Sequence, residues 1–183
     1  MKKLNHKFYN PNKKVVDMYG VNRGHYVKSA DRAIATYSTG DCVVRAFTKL
    51  TDLDYTTVAS MTAISNGYND ITKIHNGNWT WDLYRDYLKD MGIVKLNITG
   101  KRMNLRKTVV AAMNDDLNFR AYSDDCPTVS SLKDRYVTWS VTRHLVTTYN
   151  YDLYDSWDSS SRMVKATAYV YSDDALNNSF DWS

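Results

Sequence analysis

The amino-acid sequence predicts an α+β fold, with helices in the first part of the chain and an antiparallel sheet in the second. Apolar residues recur at helical spacing from residue 41 onward. From residue 135, segments rich in Val, Tyr, Thr and Trp alternate with polar turns, a pattern typical of antiparallel strands. The 183 residues are enough for one domain with its own core, and no internal repeat or linker divides them.

The first 37 residues are polar, weakly patterned and basic, and we predict that they form an N-terminal arm before a globular domain over residues 38–183. A strand or a short helix is expected around residues 26–35. A nucleic acid could bind the basic side chains of the arm, although a solvated surface is the favoured interpretation. These residues are Lys2, Lys3, Lys7, Lys13, Lys14, Arg23 and Lys28.

Five helices are predicted after this arm, separated by polar breaks and by a loop over residues 68–78. The first carries apolar residues at positions i, i+3, i+4 and i+7, and the second ends at an Asn-Gly C-cap signal. The last is a short helix after Pro127, with Leu132 facing inward. The predicted starts are Asp41, Asp54, Thr80, Asn104 and Thr128.

Strands are predicted where apolar and polar residues alternate, because successive side chains of a strand point to opposite faces. One such segment lies between two helices and the others follow residue 135. Together they favour an antiparallel sheet packed against the helices. The predicted strand segments are 93–99, 135–141, 144–149, 151–157 and 163–172.

Composition excludes several classes of protein. No apolar run approaches the roughly 18 residues of a membrane-spanning helix, and no secretory signal is evident. Two cysteines are too few for a disulfide scaffold, so we expect a cytoplasmic location, with a single Cys42–Cys126 disulfide left open. Zinc-ligand spacing and glycine-rich nucleotide motifs are both missing, so neither a metal nor a cofactor is predicted.

The net charge of +4 includes a second basic group, for which a solvated face is again favoured over phosphate binding. This group consists of Lys101, Arg102, Arg106 and Lys107.

Cys42 has the position expected of a reactive thiol, because it stands where a glycine-containing turn runs into the first helix. The positive end of a helix and its free N–H groups favour a thiolate. About a hundred residues later, His144 and Asp155 lie on one predicted hairpin. A cysteine, a histidine and an aspartate can serve as nucleophile, base and orienting group, so these three are the candidate catalytic residues. Asp41 opposes thiolate formation unless its side chain caps the helix.

The hairpin geometry can be worked out for two registers. If Tyr149 and Asn150 form the turn, His144 lies opposite Asp155; if Asn150 and Tyr151 form it, His144 lies opposite Trp157. Both registers put His144, Asp155 and Trp157 on one face and Asp158 on the other. A two-residue turn therefore favours Asp155 as the partner of His144, whereas a three-residue loop favours Asp158.

Two segments resemble the motifs of small papain-like cysteine peptidases from bacteriophage and some bacterial genomes. TGDCVVRAFTKLTDLDYTTVASM matches a G-D-C-V-x-R-A helix start, and RHLVTTYNYDLYDSWDSS matches an H-x-V strand followed by D-[ST]-W-[DN]. The resemblance covers residues 38–160, about two thirds of the chain. It implies a papain-like fold, hydrolysis of an amide bond through a thioester at Cys42, and a viral origin with action in the host cytoplasm.

Papain-like enzymes usually have a glutamine a few residues before the cysteine, to complete the oxyanion hole. Residues 35–39 contain no Gln or Asn here, and Ser38, Thr39 or a group of the arm is the candidate replacement. Three functions therefore compete. They are a cysteine peptidase or isopeptidase acting on a protein or peptide, an acyltransferase or amidase with the same triad, and a weakly active or inactive scaffold that binds a host protein.

Overall fold

The computed structural model describes residues 2–11, 41–67 and 82–179. Its strands are β1 (Asn5–Phe8), β2 (Ile93–Ile98), β3 (Phe119–Ala121), β4 (Tyr136–Val141), β5 (His144–Tyr149), β6 (Asp152–Asp155) and β7 (Val164–Tyr171). Its helices are α1 (Cys42–Thr51), α2 (Tyr55–Ser65), α3 (Leu105–Met113) and α4 (Asp173–Ser179), and a π-helical turn spans Tyr84–Leu88. The fold of the described residues is α+β, as the sequence predicted.

The described strands form one sheet in the order β1-β6-β5-β4-β7-β2-β3. Neighbouring strands are antiparallel, except that β1 runs parallel to β6. The sheet therefore takes strands from before, between and after the helices, and the predicted order of helices first and sheet second is too simple. Residues 5–8, inside the segment predicted as an arm, form one edge of this sheet.

Most of the predicted elements have the expected bounds. Asn104 caps α3, with its side chain accepting a hydrogen bond from the Lys107 N–H at 3.0 Å. The short helix predicted after Pro127 is wrong, because residues 127–135 are not helical, although Leu132 is buried as expected. Thr80, the loop over residues 68–78 and the element expected around residues 26–35 lie outside the described residues.

Each face of the sheet is covered by different helices. On one face, α1 and α2 pack with Leu145 and Tyr169; the Tyr169 ring meets that of Phe47 edge-on at 5.2 Å between centroids. On the other face, α3 packs with a cluster that includes Val146 and Ala168. Adjacent residues of β5 and of β7 thus face opposite cores, as the alternation of a strand requires. The central strands of the sheet are therefore buried on both sides.

Helix α1 runs along β5 in the same direction, and this alignment positions the site. The Thr147 hydroxyl donates to the Ala46 carbonyl at 2.7 Å and lies 2.6 Å from the Thr138 hydroxyl. One helical turn onward, the Lys49 ammonium lies 4.1 Å from the centroid of the Tyr154 ring, on the neighbouring strand β6. The start of α1 is consequently held at the start of β5, where His144 lies.

None of the helices in the described ranges combines the length and the apolar character needed to cross a bilayer.

Candidate active site

The hairpin of β5 and β6 has the second of the two predicted registers. Tyr149 pairs with Asp152, which leaves Asn150 and Tyr151 as the two-residue turn, and Asn150 has a φ of 49°. When the same pairing is continued by one residue past Thr147 and Tyr154, Asp155 lies diagonally across from His144 on the same face. The His144 Nε2 and the Asp155 Oδ2 are 2.6 Å apart.

The Asp155 carboxylate is buried and fully engaged. Besides His144, it accepts hydrogen bonds from the Ser159 hydroxyl at 2.7 Å and from the Ser156 main-chain N–H at 2.8 Å. Burial opposes its ionisation, but the hydrogen bond and charge of His144, the Ser159 hydroxyl and the charge of Arg45 together lower its pKa. The group is therefore a carboxylate at neutral pH, able to hold the imidazole in one orientation.

His144 has its Nε2 on Asp155, so Nδ1 is the ring nitrogen available to a second partner. The Cys42 thiol is close enough to this ring for the hydrogen bonding and charge of each group to shift the pKa of the other. Burial favours neutral imidazole, but the hydrogen bonds and charges of Asp155 and Cys42 outweigh it and raise the pKa of His144 to about 9. The indole of Trp157 covers the ring, with centroids 5.0 Å apart.

Cys42 is the first residue of α1, and both cysteines are free thiols. Burial alone raises the pKa of Cys42. The hydrogen bond and charge of His144, the main-chain N–H of Leu145 and the charge of Arg45 act in the opposite direction, and the pKa is lowered. Since the pKa of His144 is raised while that of Cys42 is lowered, each group favours the charged form of the other.

Asp41 stands at the N-cap position of α1, but its side chain makes no capping hydrogen bond. It therefore lacks the arrangement in which its charge was expected not to oppose thiolate formation. Instead its side chain is fully buried, forms an ion pair with Arg45 one turn along the helix, and accepts a 2.5 Å hydrogen bond from the Tyr55 hydroxyl. The Arg45 guanidinium also reaches Asp155 at 3.4 Å. Arg45 thus neutralises the carboxylate beside the thiol and links it to the carboxylate behind the imidazole.

Sequence reasoning missed Arg45, although a signal was present. Asp41 and Arg45 stand four residues apart, the spacing at which opposite charges meet on a helix, and both belong to the G-D-C-V-x-R-A motif. The apolar stripe predicted for this helix does not include Arg45, so the periodicity gave no indication that Arg45 is buried. Its side chain is only 9% exposed, so it lies among the core residues of α1.

Two other residues considered from the sequence, Asp158 and Cys126, have hydrogen-bonding neighbours outside this cluster. Asp158 accepts a hydrogen bond from the Ser160 N–H, and Cys126 lies near the hydroxyls of Ser123 and Tyr84. The His6 ring contacts the Asp155 carbonyl oxygen at 3.0 Å rather than the carboxylate. In the part of the chain that the structure describes, no group of three or more His, Cys, Asp or Glu side chains could hold a metal ion.

The N–H groups in the first turn of a helix have no carbonyl partner within that helix. The Cys42 N–H is one of these groups, and it lies beside the sulfur, where the oxygen of an attacked carbonyl would develop negative charge. The segment expected to supply a second donor, residues 35–39, lies outside the described residues.

No protein-family model matches the chain, and neither a curated protein nor a solved structure is significantly similar to it. The arrangement of the side chains is therefore the basis for a functional assignment.

Proposed function

We propose that this protein is a thiol-dependent hydrolase of amide bonds, a cysteine peptidase or isopeptidase of papain-like type, with Cys42, His144 and Asp155 as its catalytic residues. One observation carries the proposal. A thiol at the start of a helix interacts with an imidazole, each shifting the pKa of the other, and the Nε2 of that imidazole lies 2.6 Å from a buried carboxylate. This is the relation among nucleophile, base and orienting group that acyl transfer requires.

The reaction begins with the thiolate of Cys42 and the imidazolium of His144. The sulfur attacks the carbonyl carbon, a C–S bond forms, and the carbonyl electron pair moves to oxygen, where the Cys42 N–H stabilises it. His144 then gives its proton to the leaving nitrogen as the C–N bond breaks. The amine departs and a thioester remains on Cys42.

Hydrolysis of the thioester restores the site. Neutral His144 takes a proton from water, and the hydroxide attacks the thioester carbon. The C–S bond breaks, the carboxylic acid leaves, and the thiolate–imidazolium pair forms again. Throughout this cycle Asp155 keeps the ring orientation and stabilises the imidazolium, as an orienting carboxylate does.

Alkylation of the thiol across pH tests this proposal without a known substrate. The rate of carbamidomethylation of Cys42 by iodoacetamide should reach half of its plateau at a pH below the pKa of an ordinary thiol, about 8.5, because the pKa of Cys42 is lowered. Intact-protein and peptide mass spectrometry would resolve Cys42 from Cys126, which serves as the reference thiol in the same molecule. Equal pH dependence at the two cysteines contradicts an activated nucleophile.

Hydrolysis should depend on pH in two directions. Activity rises as Cys42 ionises, and it falls as pH passes about 9, because His144 then loses the proton that the leaving nitrogen needs. Digests of denatured protein, followed by the appearance of new amino termini, would measure this profile. Cleavage that persists in Cys42→Ser would overturn the assignment.

A further inference from the structure

We propose that the site acts on polypeptides with an acidic segment next to the scissile bond, and that Arg162 beside Trp157 recognises that segment. This inference rests on the proposed function, since it names the substrate class of the same thiol.

Trp157 is the first part of this surface. Its ring contacts His144, yet 38% of the residue is exposed, so it borders the reacting groups and is accessible to a bound chain. The guanidinium of Arg162 lies over the same indole, with its carbon 5.2 Å from the centroid of the Trp157 ring. Met163, next to Arg162, is 44% exposed.

Arg162 is arranged to bind a carboxylate. A guanidinium that lies over an aromatic ring keeps N–H groups for hydrogen bonds to a further partner. No hydrogen bond or ion pair joins these N–H groups to another side chain of residues 2–11, 41–67 or 82–179. A planar carboxylate accepts two such hydrogen bonds at once, which gives geometric selectivity as well as charge attraction.

The main chain brings other basic residues to the same place. The Leu105 N–H donates to the Arg162 carbonyl at 2.8 Å, and the Arg106 N–H donates to the Ser160 carbonyl at 3.0 Å. The Thr142 N–H donates to the Met163 carbonyl at 2.9 Å, which brings in the turn before His144. Three segments distant in sequence, 99–107, 142–144 and 156–165, therefore form one border of the site.

This border is strongly and almost uniformly positive. It carries seven exposed cationic side chains and one exposed carboxylate, that of Asp158, although the whole chain has a net charge of only +4. A cleft lined by charges of one sign raises the local concentration of an oppositely charged substrate. The cationic residues are Lys101, Arg102, Arg106, Lys107, Arg143, Arg162 and Lys165.

An acidic polypeptide fits this border better than a nucleic acid does. The proposed reaction needs an amide carbonyl at the Cys42 sulfur, and a phosphodiester chain has none. Trp157, which contacts both His144 and Arg162, offers apolar contact between the imidazole and this cation. We therefore expect an apolar residue near the scissile bond and Asp or Glu residues beyond it.

Two series of electrophilic peptides test the inference. In one, an N-terminal chloroacetyl group is followed by Ala and then by four Glu, four Ser or four Lys residues. In the other, the order is reversed, so that four Glu, four Ser or four Lys residues precede an Ala chloromethyl ketone. The thiolate displaces chloride and forms a C–S bond in both, so the series extend in opposite directions from Cys42. Mass spectrometry would give the rate of adduct formation at Cys42, and each rate is divided by the iodoacetamide rate of the same protein.

In at least one series we expect the Glu peptide to react with Cys42 at least tenfold faster than the Lys peptide in 50 mM salt. The preference should weaken in 500 mM salt, because exposed charges are then screened. Arg162→Glu should reduce the Glu-to-Lys ratio at least fivefold. Arg120→Glu is the matched control, an equal change of charge at an exposed position on the distant edge strand β3, and it should leave the ratio unchanged.

Separate results would overturn the two proposals. If iodoacetamide shows an activated Cys42 but the ratio is near one in both series, the acidic substrate class is wrong and the hydrolase stands. If Cys42 reacts as an ordinary thiol, the proposed function fails first. Tight binding of fluorescent oligothymidylate that acidic peptides do not displace would assign the border to nucleic acid and overturn the inference.

Discussion

Replacement of Arg45 by methionine should weaken the protein more than any surface change, because Arg45 is the cation shared by two buried carboxylates. The side chains of Arg45, Asp41 and Asp155 are 9%, 0% and 3% exposed. Removal of one partner from a buried ion pair costs about 3–5 kcal/mol, since it leaves a charge without compensation. Asp155 keeps its other hydrogen bonds, and its contact with Arg45 is the longer one, so most of the loss arises at Asp41.

We therefore expect the free energy of unfolding of Arg45→Met to fall by about 3 kcal/mol. Urea titrations at pH 7, followed by tryptophan fluorescence, would measure it. The double variant Asp41→Asn/Arg45→Met should recover at least about 1 kcal/mol, because the buried group that lost its cation is then a neutral amide. The effects of substitutions at residues in contact are not additive. Arg85→Met is the control, since Arg85 pairs with Asp82 and Asp86 at the exposed surface and its removal should cause no measurable loss.

The same variant has a chemical consequence. The charge of Arg45 contributes to the lowered pKa of Cys42, so Arg45→Met should shift the pH at half-maximal alkylation upward, whereas Arg45→Lys should shift it less. A loss of stability below about 1 kcal/mol would refute the account of a shared buried cation. So would a double variant whose loss equals the sum of the single losses.

Three further outcomes follow from the geometry. Asp155→Asn should slow amide hydrolysis at least about 10²-fold, whereas Asp158→Asn should not; equal rates in the two variants would exclude Asp155 as the orienting group. Folding lowers the pKa of Asp155, so its stabilising contribution is complete above the usual pKa, about 3.9, and is lost as pH falls through the lower folded value. Urea midpoints from pH 3 to 6 should therefore decline more steeply at the acid end for the wild type than for Asp155→Asn. Gly92→Ala should lower the free energy of unfolding by about 2–4 kcal/mol, because φ is +86° and the new Cβ would lie 2.7 Å from a side chain of α4. Gly67→Ala, where φ is +76° but the space is open, should lower it by about 1–2 kcal/mol. Urea titrations that show the reverse order would contradict this reasoning.

The sequence predicted those features that depend on local periodicity. The apolar stripe of α1 and the alternation along β5 and β7 follow from which side chains one face must bury, so these elements have nearly the expected bounds. The parity of a strand is fixed by its geometry, so His144 and Asp155 share a face in either register. The sequence does not show which of the two registers forms, because both candidate turns contain Asn150 and a tyrosine.

Elements with little apolar patterning escaped prediction. The strand β1 lies at the sheet edge and its residues are mostly exposed. Its sequence therefore shows no alternation of apolar and polar residues from which a strand could be predicted. The short strand β3 forms the opposite edge and spans three residues, Phe119–Ala121. Such strands form because a neighbouring strand offers free N–H and carbonyl groups, which is a property of the assembled sheet.

By itself, the sequence determined that a thiol stands at a helix start and that an imidazole and a carboxylate share a hairpin face about a hundred residues later. Only the tertiary structure decided that these groups meet, that Arg45 neutralises the carboxylate beside the thiol, and that three segments with exposed basic residues border the site. The physical reason is that helical and strand periods act over a few residues, whereas these contacts depend on how α1 packs along β5 and how residues 160–164 bond to residues 103–106. The electrostatics of a buried thiol come from groups that folding brings near it.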